Sequence, residues 1–354
     1  MLTHWDARTL DDLLTEHRLD GIPEEPFPND GWSGAQLTLV RRGADRFVLK
    51  RTSWATDWIA RATRDHSLRE AFVATGQLPL PGGVVAPYLG AAADGNAAAM
   101  LMPDLSGRLF AWERPGEGAA ITPDRLETVL RAIARLHASA PPASTPGSGA
   151  GPGSGPGWPW TPLRERLELL TRTAARRYVG AGLSVGPRFL EGWDAFDRLA
   201  PPAARDIVGG LSADSTPLVM ALERLPPALL HGDLKLANVA IVEEERVALI
   251  DWQMVTVAPV ALDLGWLLVS NAPILPVGPD GVLARYRAAA DGAGVELGDW
   301  DVQVDLASVI GLLLRGWRKG LDAVAGGTLA SGETAGADLA DWSARAVEAA
   351  GRRL

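Results

Sequence analysis

The stretch LLHGDLKLANVAIV (229–242), followed by RVALIDWQM (246–254), restricts the fold more than any other part of this chain. Each piece contains an apolar run of strand length, and the polar residues gather at the ends of the runs. Asp233 and Asn238 stand at D-x-x-x-x-N spacing, and Asp251 comes thirteen residues beyond Asn238, where the second run ends. Two adjacent strands would then bring an amide oxygen and a carboxylate to neighbouring ends, with Asp233 beside them. Hard oxygen ligands of this kind suit Mg²⁺, which binds carboxylate, amide and phosphate oxygens together. Taken singly, Asp233 would be a turn-forming acid and Asn238 a cap. In register with the His-Gly-Asp and Asp-Trp pairs they read as a site.

The bounds on class come from length and charge. A chain of 354 residues is long for one compact core, so one domain of two lobes, or two domains, is expected. With 47% hydrophobic and 22% charged residues it is an ordinary soluble globular composition. A formal charge of -9 and a pI near 5.2 argue against nucleic-acid and anionic-membrane partners, which need clustered Lys and Arg. The absence of cysteine removes disulfides, thiolate zinc sites and a cysteine nucleophile together. The start, MLTHWDARTLDDLLTEHRLD, is charged and amphipathic, unlike a secretory signal. Apolar pieces such as SVIGLLL are too short to span a membrane. The default compartment is the cytoplasm.

Along the chain the character shifts from mixed to helical. A helix is expected from about Asp6 to His17, then strands at Gln36–Val40 and Phe47–Leu49 joined by the RRGAD turn. Residues from about Thr56 to Thr75 read as one helix, with Trp58, Ile59, Ala62, Leu68, Ala71 and Phe72 roughly on one side. AAAMLMPDL reads as a buried strand ended by Pro103. Thr122 is the N-cap and Pro123 the first residue of a helix with the stripe Leu126, Val129, Leu130, Ile133 and Leu136. Between the main helical stretches, residues from about 140 to 159 are so rich in Gly, Ser and Pro that a flexible surface insertion is expected.

With this order on the page, HGDLKLAN followed by IDW resembles the aminoglycoside phosphotransferase and choline kinase group, small-molecule kinases that share the protein-kinase fold. The resemblance runs in the right order over about residues 30 to 270. It implies an α+β fold of two lobes: an antiparallel-sheet N-lobe over 1–102 and a larger, mostly helical C-lobe over 103–354. It also implies ATP and Mg²⁺ as cofactors and a small hydroxylated molecule as acceptor. Gly31, Ser33, Gly34 and Ala35 of GWSGA would close over the triphosphate, and Lys50 would bind its α and β oxygens. Glu70, the only glutamate between Glu25 and Glu113, would fix the Lys50 ammonium. Leu101 and Met102 fall in the segment MLMPDLSG, matching the hinge that holds adenine. Asp233 would be the base, Lys235 would approach the γ-phosphate, and Asn238 and Asp251 would hold Mg²⁺. His231 would brace the catalytic loop, Asp263 would anchor it, and His137 would be a core residue.

Departures from protein kinases shape the functional expectation. Gly232 replaces the arginine of His-Arg-Asp, and only eleven residues separate Asp251 from Asp263. Both favour a small acceptor over a protein. The expected activity is ATP-dependent O-phosphotransfer to an aminoglycoside, sugar or amino alcohol. The alternative is a kinase-like nucleotide-binding module without activity, and a protein kinase is disfavoured. The acceptor pocket is expected from the segment of about 263 to 317, where Asp263, Trp266, Asp299, Asp301, Asp305 and Trp317 are available. Carboxylates there would suit an amine, aromatic faces a sugar or quaternary amine. Trp158 and Trp160 could form a lid over the acceptor.

Overall fold

The computed structural model describes residues 5–27, 33–112, 116, 118–142, 158–243 and 245–354. Gly31 of the glycine-rich segment and most of the Gly/Ser/Pro insertion lie outside the described residues.

Among the described residues ten strands form three sheets: β1 (Glu24–Pro26), β2 (Gln36–Arg42), β3 (Asp45–Thr52), β4 (Val84–Val85), β5 (Gly90–Asp94), β6 (Ala97–Pro103), β7 (Ala228–Leu230), β8 (Val239–Glu243), β9 (Arg246–Leu249) and β10 (Thr256–Ala258). The largest sheet is antiparallel throughout, in the order β1-β2-β3-β6-β5. Its register sorts side chains by face, because successive residues of a strand point to opposite sides. Leu49 pairs with Leu101, and both pack with Leu13 and Leu19 in a small apolar cluster on the outer face. Val48 pairs with Met102 and Lys50 with Met100, which sends Val48, Lys50 and Met102 to the other face. The polar site of this sheet is therefore set by a one-residue alternation.

The expected hairpin and buried strand are present as β2-β3 and β6, and Thr122 caps the helix Pro123–Ala138 by accepting the Arg125 N–H at 3.3 Å. All five residues of its apolar stripe are buried. The single helix expected over Thr56–Thr75 is instead two, Trp58–Ala62 and Arg69–Ala74. Buried Asp65 explains the break, since both of its oxygens accept the Arg69 N–H, at 3.0 and 2.9 Å, and Arg64 and Leu68 adopt positive φ. An Asx-type bond of this sort offers the backbone an alternative to continuing the helix. The second of the two helices is buried along its whole length and carries Glu70.

The rest of the chain is helical around one large core, interrupted by small sheets. The longest helix, Trp300–Ala325, packs against Ala261–Asn271, Val185–Leu199 and Ala335–Arg353. β8 and β9 form a hairpin, and β4, from the sheet-rich part of the chain, joins it in parallel alongside β9. The N-terminal third thus contributes a strand to the sheet that carries Asn238 and Asp251. Among the described residues no helix is long and apolar enough to cross a membrane.

Candidate active site

The polar segment between β7 and β8 is held from three directions. Gly232 has φ +79°, and a Cβ on it would lie 1.8 Å from the Met254 carbonyl oxygen, so only glycine fits this approach. Its N–H donates to Asp263 Oδ1 at 2.9 Å, its carbonyl accepts from Arg166 Nε at 2.6 Å, and the His231 N–H donates to Asp263 Oδ2 at 3.0 Å. His231 Nε2 donates to the Ile250 carbonyl at 3.0 Å, while its Nδ1 accepts the Asp233 N–H at 3.3 Å. Those two bonds define a neutral Nε2–H imidazole, and burial holds its pKa below the usual histidine range. His137 lies in the core between the Tyr286 hydroxyl (2.6 Å) and Asp263 (3.3 Å).

This scaffold presents Asp233 with one oxygen occupied. Oδ2 accepts from Lys235 Nζ at 2.8 Å and from Asn238 Nδ2 at 3.0 Å, and Nδ2 also donates to the Asp233 carbonyl at 2.9 Å. No donor among the described residues is bonded to Oδ1. Because the Asn238 amide nitrogen is committed to Asp233, the group it has left for a cation is its Oδ1.

Asp251 sits where β9 gives way to a short turn, in a left-handed conformation (φ 64°, ψ 57°) that Asp tolerates better than most residues. Lys50 Nζ donates to Asp251 Oδ1 at 2.8 Å and to Glu70 Oε2 at 2.7 Å. Burial alone would raise the Asp251 pKa, but the Lys50 and Lys235 ammonium groups outweigh it and hold the carboxyl at about 2. Burial works against the Lys50 ammonium too, yet its two carboxylates prevail and raise its pKa. Glu70 moves upward because its complete burial outweighs the pairing. Tyr88 completes the group: its hydroxyl donates to Glu70 Oε1 at 2.6 Å and accepts the Asp251 N–H at 3.2 Å.

Two cavities meet at this point. One, of about 220 Å³, is lined by Ser33, Ala35, Val48, Lys50, Met102 and Pro103 from the sheet and by Asn238 and Asp251 from below. The other, of about 180 Å³, is lined by Asp233, Lys235, Arg166 and several tryptophans. Ser33 and Asp251 belong to both walls. Of the residues expected to hold nucleotide, Ser33, Ala35, Lys50, Glu70 and Met102 converge on the first cavity. Leu101 does not: its side chain faces the outer cluster, and its carbonyl accepts the Leu89 N–H at 2.7 Å. The hinge segment instead adds Pro103, Asp104, Leu105 and Ser106. Gly34 reaches neither wall, but its φ of +94° and close approach to the Thr56 carbonyl (2.3 Å from a built Cβ) shape the segment that carries Ser33 and Ala35.

The residues present fit a divalent cation bound mainly by nucleotide. Asn238 and Asp251 line one cavity with oxygen donors. Among the described residues no cluster of three or more His, Cys, Asp or Glu could hold a metal by itself. Mg²⁺ is commonly bound through one or two protein oxygens plus substrate phosphates.

The acceptor-side expectations divide. Trp266 and Trp317 line the second cavity, but Asp263, Asp299, Asp301 and Asp305 do not. Asp263 is spent on the His231 and Gly232 N–H groups, Asp299 caps the helix Trp300–Ala325, and Asp305 is paired with Arg352 and Arg353 at 2.6 and 2.7 Å. Trp158 stacks on Trp160 with ring centroids 5.4 Å apart and packs edge-on to Phe72, so it is a core residue that lines neither cavity. Tyr88, Arg166, Trp112 and Arg315 carried no local signal in the sequence, because their partners are distant along the chain.

The sequence profile of the APH phosphotransferase enzyme family matches residues 26–302, and the chain belongs to that family. Its architecture is α+β, a five-stranded antiparallel sheet followed by a mostly helical part. Among solved structures it is similar to a macrolide 2'-phosphotransferase from Brachybacterium faecium, with 17% identity, 96% of each chain covered and a TM-score of 0.44. It is similar as well to an aminoglycoside-3'-phosphotransferase of type VIII, at 21% identity over 87% of this chain and 98% of that one (TM-score 0.46). A choline kinase from Streptococcus pneumoniae is a third, at 11% identity over 95% and 98% of the two chains (TM-score 0.44).

Proposed function

We propose that the protein transfers the γ-phosphoryl group of ATP to a hydroxyl of a small molecule, with residues 1–102 supplying the nucleotide lobe and 103–354 the catalytic and acceptor side. The observation that carries this reading is the pair of cavities sharing Asp251 and Ser33, with Asp233 on the side away from Lys50. ATP would lie along Val48, Lys50 and Met102, its adenine toward the hinge strand and its phosphates toward Lys50. Asn238 and Asp251 would hold Mg²⁺, which when bound neutralises phosphate charge.

Asp233 Oδ1 would accept the proton of the acceptor hydroxyl as that oxygen bonds to the γ-phosphorus and the bond to the β–γ bridging oxygen breaks, releasing ADP. Its other oxygen is fixed by Lys235 and Asn238, so the base is oriented before the acceptor arrives. Lys235, released toward the phosphates, would offset charge on the phosphoryl group in transit. Lys50 is kept charged by its two carboxylates and would bind α and β oxygens.

The segment after Asp251 supports a small acceptor. Residues 252–260 form a short turn and β10, which pairs with β7, and no long peptide-docking stretch intervenes before the helix Ala261–Asn271. The test is ADP release across a library of hydroxyl compounds, with Asp233→Asn as control. The variant should lose on the order of 10² to 10⁴ in rate while still binding ATP. Near-normal turnover in that variant would remove Asp233 from its role.

A further inference from the structure

The wall of the second cavity is chemically one-sided. Arg166 is fully buried, its Nε–H is committed to the Gly232 carbonyl, and its Nη1 and Nη2 are buried with no hydrogen-bond partner among the described residues. The indole Nε1 atoms of Trp112 and Trp266 are buried without a partner in the same way. All three side chains border this cavity. Guanidinium and indole N–H groups donate and cannot accept. The buried unpartnered polar atoms of the side chains at this wall are therefore all donors, and they call for an acceptor of hydrogen bonds.

Its charge has the same bias. The Arg166 guanidinium lies over the Trp266 ring at 4.9 Å, and that of Arg315 lies over Trp112 at 5.3 Å, Trp266 at 5.7 Å and Trp317 at 5.9 Å. Ring faces hold these cations in place. The cavity's two acids, Asp233 and Asp251, are already bonded to Lys235 and Lys50. An ammonium group on an acceptor would meet Arg166 and Lys235, and the one carboxylate oxygen open to it, Asp233 Oδ1, is the one that the acceptor hydroxyl would use. A carboxylate or phosphate would satisfy the orphaned donors and the charge at once, since a guanidinium bonds such oxyanions with charge-assisted hydrogen bonds.

We infer that the acceptor is a small hydroxylated oxyanion, seated by its carboxylate or phosphate against Arg166, Trp112 and Trp266 while its hydroxyl meets Asp233. This rests on the phosphotransfer reading for the hydroxyl, and on the wall alone for the anion. Amine-bearing acceptors, which the sequence leaves open, are disfavoured.

The test is a charge-matched series of probes: D-gluconate, D-glucose 6-phosphate, D-glucose and D-glucosamine. Binding to the full-length protein is measured by titration calorimetry, and phosphoryl transfer by ADP release. At least one anion should bind roughly tenfold or more tightly than glucose, and glucosamine no better than glucose, as expected for charge-assisted bonds. The two anionic arms separate a carboxylate from a phosphate preference. Arg166→Gln should erase the preference, read as the ratio of anion to glucose affinity within the same variant. Should Arg166→Gln fail to fold, Trp112→Phe keeps the ring, removes one donor, and should reduce the anion's advantage several-fold. The inference is overturned if glucosamine binds best, if neither anion outbinds glucose, or if the preference survives in the folded variants. Anion binding without transfer would count against the phosphotransfer reading and leave only the anion-binding wall standing. Efficient transfer to glucose or glucosamine ahead of both anions would do the reverse.

Discussion

Replacing Tyr88 by phenylalanine removes one oxygen atom and tests how the lysine, its glutamate and Asp251 are tied together. That hydroxyl donates to buried Glu70 at 2.6 Å and accepts the Asp251 N–H at 3.2 Å. Loss of a hydrogen bond to a buried charged group costs about 1.5–3 kcal/mol, and an orphaned buried N–H about 1–3 kcal/mol. Asp251 retains one third of its side-chain exposure, so water takes up part of the second cost. The expected loss in unfolding free energy is therefore about 2–4 kcal/mol. With its second donor gone, Glu70 should also ionise less readily and grip Lys50 less firmly, weakening nucleotide affinity. The assay is urea unfolding of wild type, Tyr88→Phe, Glu70→Gln and the double variant. A coupling of at least about 1 kcal/mol between the two positions is expected, because they share a direct bond. A single-variant loss below about 0.5 kcal/mol, or additivity of the two changes, would refute the reasoning.

Further outcomes follow from individual sites. Asp251→Ala should weaken nucleotide binding much more with Mg²⁺ than without it; equal losses in the two titrations would show that Asp251 does not act through the ion. Gly232→Ala would force a Cβ to within 1.8 Å of the Met254 carbonyl at positive φ, so it should cost more than about 3 kcal/mol by thermal or urea unfolding, and a neutral effect would contradict the loop geometry. Asp305 carries a depressed pKa: burial opposes ionisation, and the hydrogen bonds and charges of Arg352 and Arg353 prevail. Its contribution is present above the unfolded carboxylate pKa and lost as pH falls through the lower folded value. Asp305→Asn should therefore lower stability at pH 7 by about 1–2 kcal/mol and flatten the acid limb of the stability curve below roughly pH 4. An unchanged acid limb in urea titrations would exclude that contribution.

What could be read from the chain alone was local or ordered. Strand alternation placed β2, β3 and β6, a capping threonine and a first-turn proline placed the helix Pro123–Ala138, and spacing singled out Asp233, Asn238 and Asp251. Glu70 could be named as the partner of Lys50 because no other glutamate was available in that interval, and the two do meet at 2.7 Å. These signals survive because each depends on backbone period or on elimination within a short window. The break at Asp65 escaped notice, since a side chain bonding its neighbour's backbone competes with a helix without disturbing the apolar pattern.

Only the tertiary structure decided which polar residues share a cavity. Tyr88 meets Asp251 from 163 residues away and Arg166 meets Gly232 from 66, distances over which no periodicity carries information. The carboxylates of the acceptor segment illustrate the converse. Asp299 and Asp305 looked free to greet a cationic substrate, but a helix N-terminus claims one and two C-terminal arginines the other. Sequence supplies the inventory of charges, whereas their pairing depends on which elements pack together. Here the packing consumed Asp299 and Asp305 elsewhere and left side chains with unpartnered arginine and indole donors bordering the second cavity.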